Sequence, residues 1–216
     1  MKMHSISDRK SIGGIISGFV VKQAKGNKTK FFAVVAFALT IIFIGIFILR
    51  LHAFEEASSA KLAAAYASFM HGDKKSGTAL IDEMIAKFPK TSAAYHARLI
   101  KADFLTEILE YDEALKILTE TVNNGKSDAI KSLAHARIIY IYDSKKDYLN
   151  AALVSKEFIA KYPDHFLTRD IYLNLAEYYI LSGSKDEAAE VFNEVLVNFP
   201  ATRAAESARN RFNQIK

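Results

Sequence analysis

The sequence contains no cysteine and, across 216 residues, only three prolines and nine glycines. The missing cysteine excludes a cysteine nucleophile, thiolate-ligated zinc, an iron–sulfur cluster, disulfide staples and a lipid anchor on cysteine in one step, while leaving the compartment open. The scarcity of helix breakers favours long helices. Short signatures of chemistry are missing as well. Six scattered histidines (His4, His52, His71, His96, His135 and His165) form no H-E-x-x-H and no i, i+4 pair, so they read as surface or partly packed side chains rather than metal ligands. Gly13, Gly14 and Gly18 make no G-x-G-x-x-G, and no G-x-x-x-x-G-K-[ST] occurs, so nothing here cradles a phosphate. The carboxylate pairs Asp82/Glu83, Asp112/Glu113 and Asp186/Glu187 suggest acid/base work, yet two recur where a helix begins, a place that favours acids for electrostatic reasons. No catalytic residue, metal or cofactor is therefore expected, and an enzyme with a concealed site is the remote alternative.

Charge of one sign is nearly absent from the first 50 residues, which hold eight Lys or Arg and a single acid, Asp8. Of the totals of 29 basic and 24 acidic residues, 21 and 23 then remain for 51–216, so the high isoelectric point belongs to the tail. A folded region with a slight negative balance argues against nucleic acid as a partner.

Residues 31–49, FFAVVAFALTIIFIGIFIL, form 19 positions without a charge, fourteen of them Phe, Val, Leu or Ile. At about 1.5 Å per residue such a helix matches a hydrocarbon core of about 30 Å. A signal peptide is the competing reading, since Ala57–Ala60 (ASSA) faintly suggests a cleavage site. Its apolar region is typically only about 7–15 residues, however, and here Arg50, His52, Glu55 and Glu56 intervene. The basic flank keeps the N-terminus cytoplasmic. Within the tail, Ile12, Ile15, Ile16, Phe19 and Val20 are spaced as one face of an interfacial helix, whereas Gly13, Gly14 and Gly18 favour loose order; both readings stand.

All three prolines share one phase. Pro89, Pro163 and Pro200 mark a 37-residue period, with Lys126 at the one phase position that lacks proline. Gly77, Ala114, Ala151 and Ala188 repeat with the same period, as do Ala65, Ala102, Ile139 and Ala176. Each unit reads as two amphipathic helices and a turn, the small residues marking where two helices approach closely. Proline stops the second helix and extends the residue before it, Phe88, Tyr162 or Phe199.

The small-residue spacing, the aromatic stripe and the terminal F/Y-P resemble tetratricopeptide repeats, whose usual period is about 34 residues. The longer form seen in KFPKTSAA (87–94) and NFPATRAAESA (198–208) is similar to repeats of bacterial envelope proteins of the Tol-Pal-associated and outer-membrane-assembly families. The whole-chain plan resembles the ancillary-subunit family of the bacterial SecYEG translocon. That resemblance implies an all-α protein: a basic cytoplasmic tail (1–30), one transmembrane helix (31–50) and a TPR-like α-solenoid (51–216). The repeats are expected at 58–94, 95–131, 132–168 and 169–200, with a capping helix at 201–216. It further implies an inner-membrane, single-pass protein with its repeat domain in the periplasm. Expected partners are translocon subunits, periplasmic chaperones or envelope-assembly factors, with a cell-wall or Tol-Pal-type scaffold as the alternative function.

In a repeat solenoid the first helix of each hairpin lines the concave face, and repeat phase puts Leu99, Asp103, Arg137, Tyr140, Asn174 and Glu177 there as candidate protein-binding residues. Family members that grip a C-terminal carboxylate use Lys and Asn on this face. Ala136 and Tyr140 occupy two of the matching places, which argues against that clamp.

The charge asymmetry yields a topology test. Protease added to spheroplasts should digest the region after residue 50 without lysis, because the basic tail resists translocation. Protection until lysis would reverse the orientation.

Overall fold

A computed structural model describes residues 28–215, and all regular secondary structure among them is helical. The segment Ile12–Val20, read as either an interfacial helix or a loosely ordered tail, lies outside the described residues. In chain order the helices are α1 (Lys28–Met70), α2 (Lys74–Lys87), α3 (Ser92–Glu107), α4 (Tyr111–Asn124), α5 (Asp128–Ser144), α6 (Tyr148–Lys161), α7 (Thr168–Leu181), α8 (Lys185–Asn198) and α9 (Arg203–Ile215). The chain divides after Ala53 into two compact units.

In the first unit, Phe32, Phe37, Ile42, Phe43 and Phe47 are exposed around α1. A helix satisfies its own backbone, which hydrocarbon requires. The hydroxyl of Thr40 also turns inward, donating to the Ala36 carbonyl at 2.9 Å. Among the described residues α1 is the one helix long and apolar enough to cross a membrane.

The second unit is a solenoid of hairpins. The distal part of α1 pairs with α2, α3 with α4, α5 with α6 and α7 with α8, while α9 covers the last hairpin. The small residues lie where the period requires them: Ala114, Ala151 and Ala188 are fully buried, as are Ala102 and Ala176. At Gly77 a Cβ would lie 2.6 Å from the Phe69 ring, so any larger residue there requires that ring to move. Larger side chains fill the space beside these contacts, Met84 and Ile81 in the first hairpin, Leu118 in the second, Phe158 in the third and Phe192 in the fourth.

Each hairpin turn has one geometry. Gly72, Leu109, Lys146 and Gly183 stand 37 residues apart, and all four have positive φ, between 58° and 90°. The following amides of Asp73, Glu110, Asp147 and Ser184 donate to carbonyls five residues back, those of Ser68, Leu105, Tyr142 and Tyr179. This is a Schellman end to each first helix. Two of the four turns hold side chains in a conformation that costs roughly 1–2 kcal/mol outside glycine.

The connections between hairpins differ in ways the sequence foreshadows. Thr91, Ser127 and Thr202 cap α3, α5 and α9 by accepting from the amides of Ala94, Ile130 and Ala205. His165 occupies the same repeat phase as Thr91 and Thr202, and α7 begins only at Thr168, with no side-chain cap. The imidazole instead meets the Ser132 hydroxyl at 3.2 Å, so a loop packs on the start of α5 where other repeats place a helical turn.

Lys126, the residue in the vacant proline phase, reaches Glu55 at 2.6 Å, and the same carboxylate accepts from the Ser92 amide at 3.0 Å. Burial pushes the Glu55 carboxyl up, but these hydrogen bonds outweigh it and hold it below its ordinary range. A proline at 126 has no charge to offer, so the departure from the period forms a link across 71 residues.

The turn geometry generates a paired prediction. Leu109 is 68% exposed, so Leu109→Gly removes backbone strain with little packing loss and should stabilise the chain by about 0.5–1 kcal/mol. Gly183→Ala should destabilise by a similar amount, although nothing lies within 4 Å of the added carbon. Thermal melts of the two variants in detergent check both signs; a lower melting temperature for Leu109→Gly contradicts the account.

Candidate functional site

The first helices form the inner side of the stack. α3 packs directly on α5 and α7 on α9, whereas the second helices α2, α4, α6 and α8 bring no Cα atoms within 8 Å of one another. Along this inner side five of the six candidates fall on one line. Asp103 and Arg137, then Tyr140 and Asn174, then Glu177 and Arg211 are each 34 residues apart, and successive rungs are separated by one helical step of three.

Two rungs are closed within the protein. Arg137 grips Asp103 with two parallel bonds, Nε to Oδ1 at 2.7 Å and Nη2 to Oδ2 at 3.0 Å. Arg211 likewise donates to Glu177. Both pairs are half-exposed and so contribute modestly to stability. Their stronger effect is to fix the side chains flanking the middle rung. There Tyr140 is 61% exposed, Asn174 is exposed, and no side-chain hydrogen bond joins them. α5 and α7, unlike α3 and α5, share no Cα pair within 8 Å, and α7 begins only at Thr168, after the loop around His165. The inner side is thus open at Tyr140.

Leu99 corrects the expectation. It is 3% exposed and packs with Tyr95, Ala102, Ala134 and Ile138. Leu99 lies one turn from Tyr95 and from Ala102 on α3, so it shares their buried stripe and offers no surface to a partner. Arg211 was not anticipated; its 34-residue offset from Glu177, the offset that also joins Asp103 to Arg137, was the available signal.

Two clefts open on the opposite side, between second helices. One, of about 660 Å³, lies between α4 and α6 over α5, and the other, of about 230 Å³, between α6 and α8 over α7. The larger contains His135, 5% exposed, whose Nε2 is 3.7 Å from Glu157 Oε2 and whose Nδ1 has no partner. Burial pushes its pKa down, opposed by Glu157 and reinforced by Lys161, so the ring is neutral at pH 7. Among the described residues no three His, Asp or Glu side chains are grouped to hold a metal ion.

A tetratricopeptide repeat-like domain model matches residues 27–166, and a tetratricopeptide repeat model matches 170–202. No curated protein matches the chain. Among solved structures, TPR-like repeats of nearly identical sequence from Podosopora anserina, described as a kinesin light chain, share 13% identity over 74% of this chain and 86% of that one, with a TM-score of 0.56. A tetratricopeptide repeat protein from Parabacteroides merdae shares 13% identity over 74% of this chain and 60% of that one, with a TM-score of 0.60. At this identity the likeness concerns the fold.

The different positions of Leu99 and Tyr140 can be measured. Leu99→Ala should cost about 2–5 kcal/mol by leaving a cavity, while Tyr140→Ala should lie within about 0.5 kcal/mol of wild type. Denaturant unfolding of both variants decides it, and equal losses would contradict the placement.

Proposed function

Because the chain belongs to the tetratricopeptide repeat-like domain family, we propose that it is a membrane-anchored scaffold for protein–protein interaction, capturing its partner on the inner side at the Tyr140–Asn174 rung. The observation that carries this reading is the open rung itself, where a half-exposed aromatic stands between two ion pairs that hold their own side chains in place. Tyrosine suits the role, since it presents a large apolar ring and a polar tip at a low entropy cost.

The anchor is α1. A helix of its length and composition suits a span or a signal sequence, and the uncleaved anchor is favoured by a 19-residue apolar run followed by Arg50, Glu55 and Glu56. The basic tail then lies in the cytoplasm and the repeats in the periplasm, across the inner membrane. This plan supports a place beside the export machinery, with translocon subunits and periplasmic chaperones as partners.

Crosslinking of the full-length protein in native membranes, followed by mass spectrometry, should recover translocon subunits or periplasmic folding factors. Recovery of peptidoglycan or outer-membrane assembly factors instead would make it an envelope scaffold. Replacing Arg137, Tyr140 and Asn174 together by Ala should weaken capture of the crosslinked partner by about 2 kcal/mol, roughly thirty-fold, with Tyr140 contributing most. Undiminished capture by a variant with wild-type helicity and melting would move the interface off the inner side.

A further inference from the structure

The two outer clefts are one cleft built twice. Advancing the lining residues of the α4–α6 cleft by 37 positions gives the lining of the α6–α8 cleft: Val122 becomes Ile159, Ile138 becomes Leu175, Tyr142 becomes Tyr179, Val154 becomes Val191 and Glu157 becomes Glu194. The apolar floor and one glutamate are thus kept, while Glu187 and Glu190 line the second cleft alone. The residue projecting from the first helix also changes. His135 in one cleft corresponds to Tyr172 in the other, and each ring sits edge-on to the aromatic that precedes the proline, Tyr162 at 6.1 Å and Phe199 at 5.6 Å.

Tyr172 lines its cleft together with Leu175, Val191 and Glu194. His135 is shorter, and with Thr119 standing where the next repeat has Lys156, the cleft is left at about 660 Å³ rather than 230 Å³. The acceptor that would receive a phenol, Glu157, has a side chain 61% exposed and only a 3.7 Å approach to His135. Lys161 stands in the phase of Asn198 and lines the same cleft. The third repeat therefore keeps Ile138, Val154 and Glu157 around a wider cleft, with the His135 ring in the place of the tyrosine.

We propose that the α4–α6 cleft is a second docking site that takes a tyrosine side chain from a protein partner, with the ring over Ile138 and Val154 and the hydroxyl donating to Glu157. The fourth repeat suggests the occupant, since its own tyrosine lines the corresponding cleft beside Leu175, Val191 and Glu194. The site is on the side of the stack opposite Tyr140, so it is independent of the inner-face reading. Occupation from outside would let one repeat hold two partners at once, or one partner that wraps an edge.

The test uses the full chain in lipid nanodiscs with labelled Ile, Leu and Val methyl groups, titrated with N-acetyl-tyrosinamide. Saturable shifts are expected at Val122, Ile138 and Val154, with at least about threefold weaker binding of N-acetyl-phenylalaninamide, which lacks the donor for Glu157. His135→Tyr should fill the cleft as the next repeat does and abolish the shifts while the melting temperature holds or rises. Thr119→Lys, which copies another difference, should weaken them at least threefold. The proposal is overturned by the absence of saturable shifts, by equal shifts at Leu175 and Val191, or by undiminished binding in a folded His135→Tyr. Should that variant not fold, undiminished binding in folded Thr119→Lys overturns it.

Discussion

Close approach of two helices at one small residue is the constraint on which the repeat domain rests. Gly77, Ala114, Ala151 and Ala188 are each buried at the crossing of a hairpin, and at the first a methyl group would meet the Phe69 ring. Once the helices touch there, their larger side chains interdigitate beside the contact and the turn between them must reverse the chain within a few residues. The repeated positive-φ turn is the consequence. Its cost at Leu109 and Lys146 is accepted because the hairpin contact leaves the backbone no other way round.

Function is to be sought where the repeats differ. Lys126 for proline adds a charged link to Glu55, and His165 for a hydroxyl cap shortens α7 and opens the inner side at Tyr140. His135 for tyrosine empties an outer cleft that the next repeat fills. The first change adds a contact, and the other two accompany an exposed tyrosine and a wider cleft, so the units of this array do not offer equivalent surfaces.

Much of this was legible from one dimension. The apolar run of 31–49, the prolines in one phase and the two series of small residues all concern properties that depend on spacing alone, and spacing maps directly onto helix faces. The candidate residues Asp103, Arg137, Tyr140, Asn174 and Glu177 lie on one line because repeat phase and helical phase agree there. Leu99 failed because it is one residue off that line: Ile100 is the residue in phase with Arg137 and Asn174, and Leu99, one turn from both Tyr95 and Ala102, belongs to the core.

The sequence by itself therefore determined the all-helical class, the hairpin repeat, the apolar helix and the uneven charge, all consequences of periodicity and composition. Tertiary structure alone decided that Asp103 and Glu177 are already engaged by Arg137 and Arg211, that Tyr140 is not, and that His135 borders an unfilled cleft. The physical reason is that pairing and filling depend on distances between residues 34 or 37 positions apart, set by how each hairpin leans on the next. Between α5 and α7 that distance is larger than between α3 and α5, with no Cα pair within 8 Å.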